Sequence, residues 1–177
     1  MSYIKKAQTV PIIGFAGFSG SGKTTLLTQI IPLLKQQGLR VAVLKHAHHT
    51  FDIDKPGKDS YEVRSAGAQQ VLVASQRRWA LMVETPEQGK DPSLTYLLDQ
   101  IDKTDIDIIL VEGFKRGSHP KIEIHRCELE HKWLYPDDAN IIAIATDADS
   151  PLDVKLPQLN LNDPEQICNF IIDRMQK

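Results

Sequence analysis

The residues Gly17-Phe18-Ser19-Gly20-Ser21-Gly22-Lys23-Thr24 carry the spacing G-x-x-x-x-G-K-[ST]. These residue types suit a polyphosphate. The backbone N–H groups of Ser19, Gly20, Ser21, Gly22, Lys23 and Thr24 can converge on it, because glycines allow close approach and unusual dihedrals. A helix starting at this point adds unpaired N–H groups and a positive dipole end. Lys23 is placed to reach the β- and γ-phosphates, and the Thr24 hydroxyl to bind Mg²⁺, a hard cation that prefers oxygen.

Other chemistry-bearing residues follow. In Asp107-Ile108-Ile109-Leu110-Val111-Glu112-Gly113 an apolar run ends in an acid. After a P-loop this is the pattern of a second metal-binding strand, with Glu112 as the carboxylate and Asp107 as a cap or surface residue. Lys115 and Arg116 either compensate phosphate charge or are solvated. Arg77 and Arg78 are open to the same two readings, and arginine suits bidentate phosphate contact. Asp147 stands after a late apolar run, where an acid in GTP-binding proteins accepts from guanine. The Asn-Lys-x-Asp signature is absent, and an acidic loop with Asp149 and Asp153 is the plainer reading. His46, His48 and His49 cluster, but no cysteine or downstream histidine completes a metal spacing. Cys127 and Cys168 read as reduced thiols of a cytoplasmic protein.

The elements that must position these groups are legible from pattern. Val10 to Ala16 reads as a buried strand leading into the loop. Gly22 to Gln37 reads as a helix with Leu26, Ile30, Leu33 and Leu34 on one face and Gly38 as its stop. Pro32 inside it predicts a bend or an early end. Leu39 to Leu44 is a second strand, followed by a long polar loop to Ser60. Asp59 or Ser60 is expected to cap a short helix, Tyr61 to Ala66. Its N-terminus is either simply capped or a second anion site. Gln70 to Ala74 and Trp79 to Val83 pair as a hairpin. A helix over Ser93 to Ile101 precedes the strand ending at Glu112. Lys121 to Arg126 alternates strictly, which predicts a strand with one wet face. Asn140 to Ala145 is a buried strand, Pro157 to Leu161 a short one. Asn162 is expected to cap a terminal helix, Pro164 to Met175.

The whole reads as one α/β nucleotide-binding domain over residues 1–177. Its sheet is expected to be mainly parallel, with helices on both faces and extra antiparallel strands. The hairpin and the strand from Lys121 are the candidates for the antiparallel part and for dimer contacts. The chain has 177 residues, 41% hydrophobic and 25% charged, with net charge −2. That suits a sizeable core and gives no basic field pointing to nucleic acid or an anionic membrane. No apolar run approaches the length of a membrane span, and the N-terminus lacks a signal-peptide core.

Three stretches in this order resemble the molybdopterin-guanine dinucleotide biosynthesis protein B (MobB) family. They are Gly17 to Thr25, Lys45-His46-Ala47-His48-His49 with Phe51 to Ser60, and Val111-Glu112-Gly113-Phe114-Lys115. Asp54-Lys55-Pro56-Gly57-Lys58-Asp59-Ser60 is far more specific to that family than the P-loop. The resemblance covers nearly the whole chain. It implies GTP with Mg²⁺ as cofactors, weak GTPase activity, a homodimer, and a P-loop fold. It also implies a role beside the guanylyltransferase MobA, which attaches GMP to molybdopterin. The nucleotide contacts are expected to extend to Thr25, Ser60, Arg78 and Asp147, and the metal to be held by Thr24 and Glu112. No glutamine placed to orient an attacking water is evident, so slow turnover is expected. Two other functions share the P-loop: a small-molecule kinase with Asp52, Asp54 or Glu112 as base, and a nickel- or zinc-delivery GTPase using the histidine cluster.

Overall fold

A computed structural model describes residues 10–47, 51–85 and 91–176. The chain groups into two compact units, Met1–His46 with Leu94–Lys177, and Ala47–Ser93.

The first unit is built on a six-stranded parallel sheet. Its strands are β1 (Ile12–Ala16), β2 (Val41–Lys45), β5 (Ile108–Glu112), β6 (Lys121–His125), β7 (Ile141–Thr146) and β8 (Gln158–Asn160), in the order β2-β5-β1-β6-β7-β8. β1 is central, so the loop that leaves its carboxyl end opens at the middle of the sheet edge. Alternation along the strands makes two cores. Ile13, Phe15, Ile108, Leu110, Ile122 and Ile124 face α1 (Lys23–Gln36) and α4 (Pro164–Met175). Ile109, Val111 and Leu44 face α3 (Leu94–Asp99) and its neighbours. Helices thus cover both faces, as the hydrophobic pattern predicts.

α1 runs unbroken through Pro32, contrary to the expected bend or early end. Pro32 stands on the exposed side, whereas Ile30 and Leu34 are fully buried. Packing of that buried face outweighs the missing hydrogen bond. Gly38 closes the helix at φ 79°. α4 is capped by Asp163, not Asn162: the Asp163 carboxylate accepts from the Gln166 N–H at 3.0 Å. Asn162 instead donates its own N–H to the Asn160 side chain at 2.9 Å.

β6 departs from expectation most. It pairs in parallel with both β1 and β7, and all five residues are buried. Its alternation is real, but the polar face is covered by protein instead of water. Lys121 is fully buried and its ammonium pairs with Asp138 at 3.0 Å and with the Gly117 carbonyl. Glu123 accepts the N–H groups of Leu134 and Tyr135 at 2.7 and 2.8 Å. His125 stacks on Trp133 with ring centroids 3.6 Å apart. Burial of these groups is tolerable because each charge has partners. The crossover from β5 to β6 lays His119 against β1: a Cβ on Gly14 would stand 2.3 Å from His119 Nε2.

The second unit holds α2 (Asp59–Ser65) and an antiparallel hairpin of β3 (Gln70–Ala74) and β4 (Trp79–Val83). The hairpin matches the pattern residue for residue, from Gln70↔Val83 to Ala74↔Trp79. Neither Asp59 nor Ser60 caps α2. The cap position is Lys58, with no side-chain cap bond, and Asp59 is the first helical residue. Glu62 reaches back instead and accepts from the Gly57 N–H at 3.2 Å. Arg64 ties the unit together by pairing with Asp52, Asp54 and Glu84 at 2.8–3.0 Å.

Candidate functional site

The phosphate loop owes its shape to its glycines. A Cβ on Gly17 would stand 2.5 Å from the Ile124 carbonyl oxygen, so only glycine passes there. Gly20 and Gly22 have φ of 80° and 90°, the left-handed region. Gly22 is also the N-cap of α1, and no side chain caps that helix end. Its first-turn N–H groups therefore face the loop, the arrangement that favours an anion. Ser19 and Gly20 are exposed at the tip, while Ser21 is buried.

Lys23 folds over this loop. Its ammonium donates to the carbonyls of Gly17 and Phe18 at 3.1 and 2.6 Å, and approaches the Ser21 hydroxyl at 3.4 Å. Burial lowers the Lys23 pKa, the positive charges of Lys115 and Lys45 add to this, and Glu112 opposes it. Lys115 is lowered by burial as well, and its ammonium lies 4.4 Å from the Phe18 ring centre. His131 packs on the same ring at 4.5 Å. Three lysines gathered around one loop repel each other, and a polyanion among them offsets that repulsion.

Beside the loop, Thr24 and Glu112 come together as predicted. β5 lies next to β1 with Phe15 opposite Glu112, which puts the carboxylate beneath the first turn of α1. Thr24 Oγ1 donates to Glu112 Oε1 at 2.8 Å. On the other side of β5, Lys45 is opposite Glu112 in the β2 pairing. Lys45 Nζ donates to Thr24 Oγ1 at 3.0 Å and lies 3.2 Å from Glu112 Oε1. A hydroxyl and a carboxylate with an ammonium between them form an oxygen donor set that suits a hard cation, so these residues fit Mg²⁺. Thr25 follows on the exposed side of the helix start.

Asp147 follows the end of β7. Its carboxylate accepts from the Cys127 N–H at 2.9 Å and from Arg126 at 3.1 Å. Arg126 also approaches the loop, with Nε 3.4 Å from the position of a Cβ on Gly22. Asp147 lines an open pocket of about 460 Å³ together with Asp149, Asn160, Asn162 and Gln166 at the carboxyl ends of β7 and β8. Asp107 pairs with Arg40 at 2.9 Å at the opposite end of β5, as a surface residue should. Ser60 and Arg78 belong to the second unit, Ser60 half-buried in the first turn of α2 and Arg78 exposed in the hairpin turn. His48 and His49 lie outside the described residues. His46 packs on Phe114 at 4.6 Å. Among the described residues no group of three or more His, Cys, Asp or Glu side chains could hold a metal ion. No described helix is long and apolar enough to cross a membrane.

Lys45 and Arg126 are the site residues that sequence reasoning misses. Lys45 looks like the first residue of a loop. Its role depends on β2 lying beside β5, an order that sequence neighbours do not reveal. Arg126 ends an alternating strand and looks like a solvated charge.

Comparison with known proteins identifies the family of the chain. The family model for molybdopterin guanine dinucleotide synthesis protein B matches residues 12–147. The molybdopterin-guanine dinucleotide biosynthesis adapter protein of Escherichia coli (strain K12) is 46% identical over 172 residues, covering 95% of each chain. That of Haemophilus influenzae is 46% identical over 162 residues, covering 92% of this chain and 88% of the relative. The crystal structure of Bacillus subtilis MobB superposes with TM-score 0.73 at 29% identity, covering 93% of this chain and 97% of the other. The chain therefore belongs to the molybdopterin guanine dinucleotide synthesis protein B family.

Proposed function

We propose that this chain is an adapter in molybdopterin-guanine dinucleotide biosynthesis that holds GTP and Mg²⁺ for a partner guanylyltransferase of the MobA kind. The observation that carries the nucleotide part is the Thr24–Glu112 pair beneath an uncapped, glycine-shaped loop. Relatives named as adapters, 46% identical over nearly the full length, support the pathway.

In this reading the N–H groups from Ser19 to Thr25 cradle the phosphates, and Lys23 moves from the loop carbonyls onto phosphate oxygens. Thr24 and Glu112 would hold the metal, which would supply positive charge to neutralise the phosphates. Asp147 reads guanine from the pocket at the end of β7. Hydrolysis is slow, because phosphoryl transfer needs a positioned water as well as charge neutralisation. The protein works in the cytoplasm as a homodimer. Family membership favours this reading over a small-molecule kinase.

The test is a pull-down with the guanylyltransferase, with and without GTP and molybdopterin. Capture that depends on GTP supports the adapter role. An absence of capture under every condition contradicts it.

A further inference from the structure

The ammonium of Lys45 sits where a cation shared by Thr24 and Glu112 would sit. Glu112 is 7% exposed. A carboxylate that buried needs a positive partner, and Lys45 supplies it from the neighbouring strand. The pairing is built in by register, since Lys45 and Glu112 are directly opposite. The lysine side chain is half-exposed, so it can leave toward solvent without repacking the core.

Resting on the proposed nucleotide site, we propose that Lys45 is a tethered counter-ion that holds the Thr24–Glu112 pair until magnesium displaces it. One carboxylate and one hydroxyl cannot serve both cations. Lys45 and Mg²⁺ therefore exclude each other, and the displaced ammonium turns to solvent. Lys45 is a positioning residue. It keeps Glu112 paired and aligned in the empty protein, and it lowers the dependence of nucleotide binding on metal. Without magnesium, Lys45 supplies part of the charge that the phosphates need. With magnesium, it must first be driven off.

The two effects act in the same direction on one measurable quantity, the ratio of nucleotide Kd in EDTA to that in saturating Mg²⁺. A half-exposed charge-assisted contact corresponds to roughly a three- to tenfold change in that ratio. The experiment titrates a fluorescent GTP analogue into the full chain, its Lys45→Met variant and its Lys45→Arg variant, with EDTA and with Mg²⁺. The ratio is expected to rise about three- to tenfold in Lys45→Met and to stay within about twofold of the wild type in Lys45→Arg, with the half-saturating Mg²⁺ concentration falling in Lys45→Met. An unchanged ratio in Lys45→Met overturns the proposal even if both affinities fall, because that marks an ordinary phosphate-binding lysine. Failure of the wild type to bind the analogue at all removes the nucleotide site itself, and the role of Lys45 with it.

Discussion

Acid should weaken this fold through His119. Its residue is 8% exposed, and both ring nitrogens are buried without a hydrogen-bond partner among the described residues. Burial pushes its pKa down to about 4, the nearby Lys121 charge adds to this, and Asp138 opposes it. The folded protein thus holds a neutral imidazole, while the unfolded chain takes up a proton near pH 6.5. Because the folded value is the lower one, the contribution of His119 is complete above about pH 6.5 and is lost as the pH falls towards 4. The linkage relation gives a loss of about 2 kcal/mol at pH 5 and at most about 3 kcal/mol below pH 4. The assay is urea unfolding of the wild type and His119→Leu at pH 7.5 and 5. Groups that titrate in both proteins, including His125, whose pKa burial also lowers, cancel in the difference. The wild type should lose about 2 kcal/mol more than the variant between the two pH values. Equal losses would refute the burial of a neutral imidazole.

Gly14→Ala should destabilise by about 1–3 kcal/mol in urea unfolding, since its Cβ would stand 2.3 Å from His119 Nε2 and 2.7 Å from Lys121 Cγ. Part of that cost should vanish in the His119→Leu background, which a double-mutant cycle measures. Asp163→Ala removes the α4 cap and should cost about 1 kcal/mol in the same assay while leaving nucleotide affinity unchanged. Glu123→Ala leaves two N–H groups unpaired and should cost about 2 kcal/mol or more, with faster amide exchange at Leu134 and Tyr135.

The parts of the fold set by local pattern were legible. The hairpin, α4 and the β1–loop–α1 unit lie where periodicity and turn chemistry put them, because short-range preference and burial agree there. Motif logic alone puts Glu112 beside Thr24, and in the structure the two side chains are hydrogen-bonded. β6 was misread because alternation shows two chemically different faces, not which of them meets water. Lys121, Glu123 and His125 look solvated until the segment after β6 is seen to cover and pair with them. The helix caps failed by one residue, as several hydrogen-bonding side chains compete at each helix start. Lys45 and Arg126 were invisible as site residues because their neighbours come from strands distant in sequence.

The central claim is that Gly17 to Thr25 holds a guanine nucleotide with magnesium. Isothermal titration of the purified chain with GTP, ATP and a non-hydrolysable GTP analogue in Mg²⁺ tests it most directly, with Lys23→Ala alongside. The account predicts tighter binding of GTP than ATP, and a loss of about a hundredfold or more in Lys23→Ala, as one charge-assisted phosphate contact is removed and its partner left unmatched. Tighter ATP binding would contradict the guanine assignment, and unchanged affinity in Lys23→Ala would contradict the site.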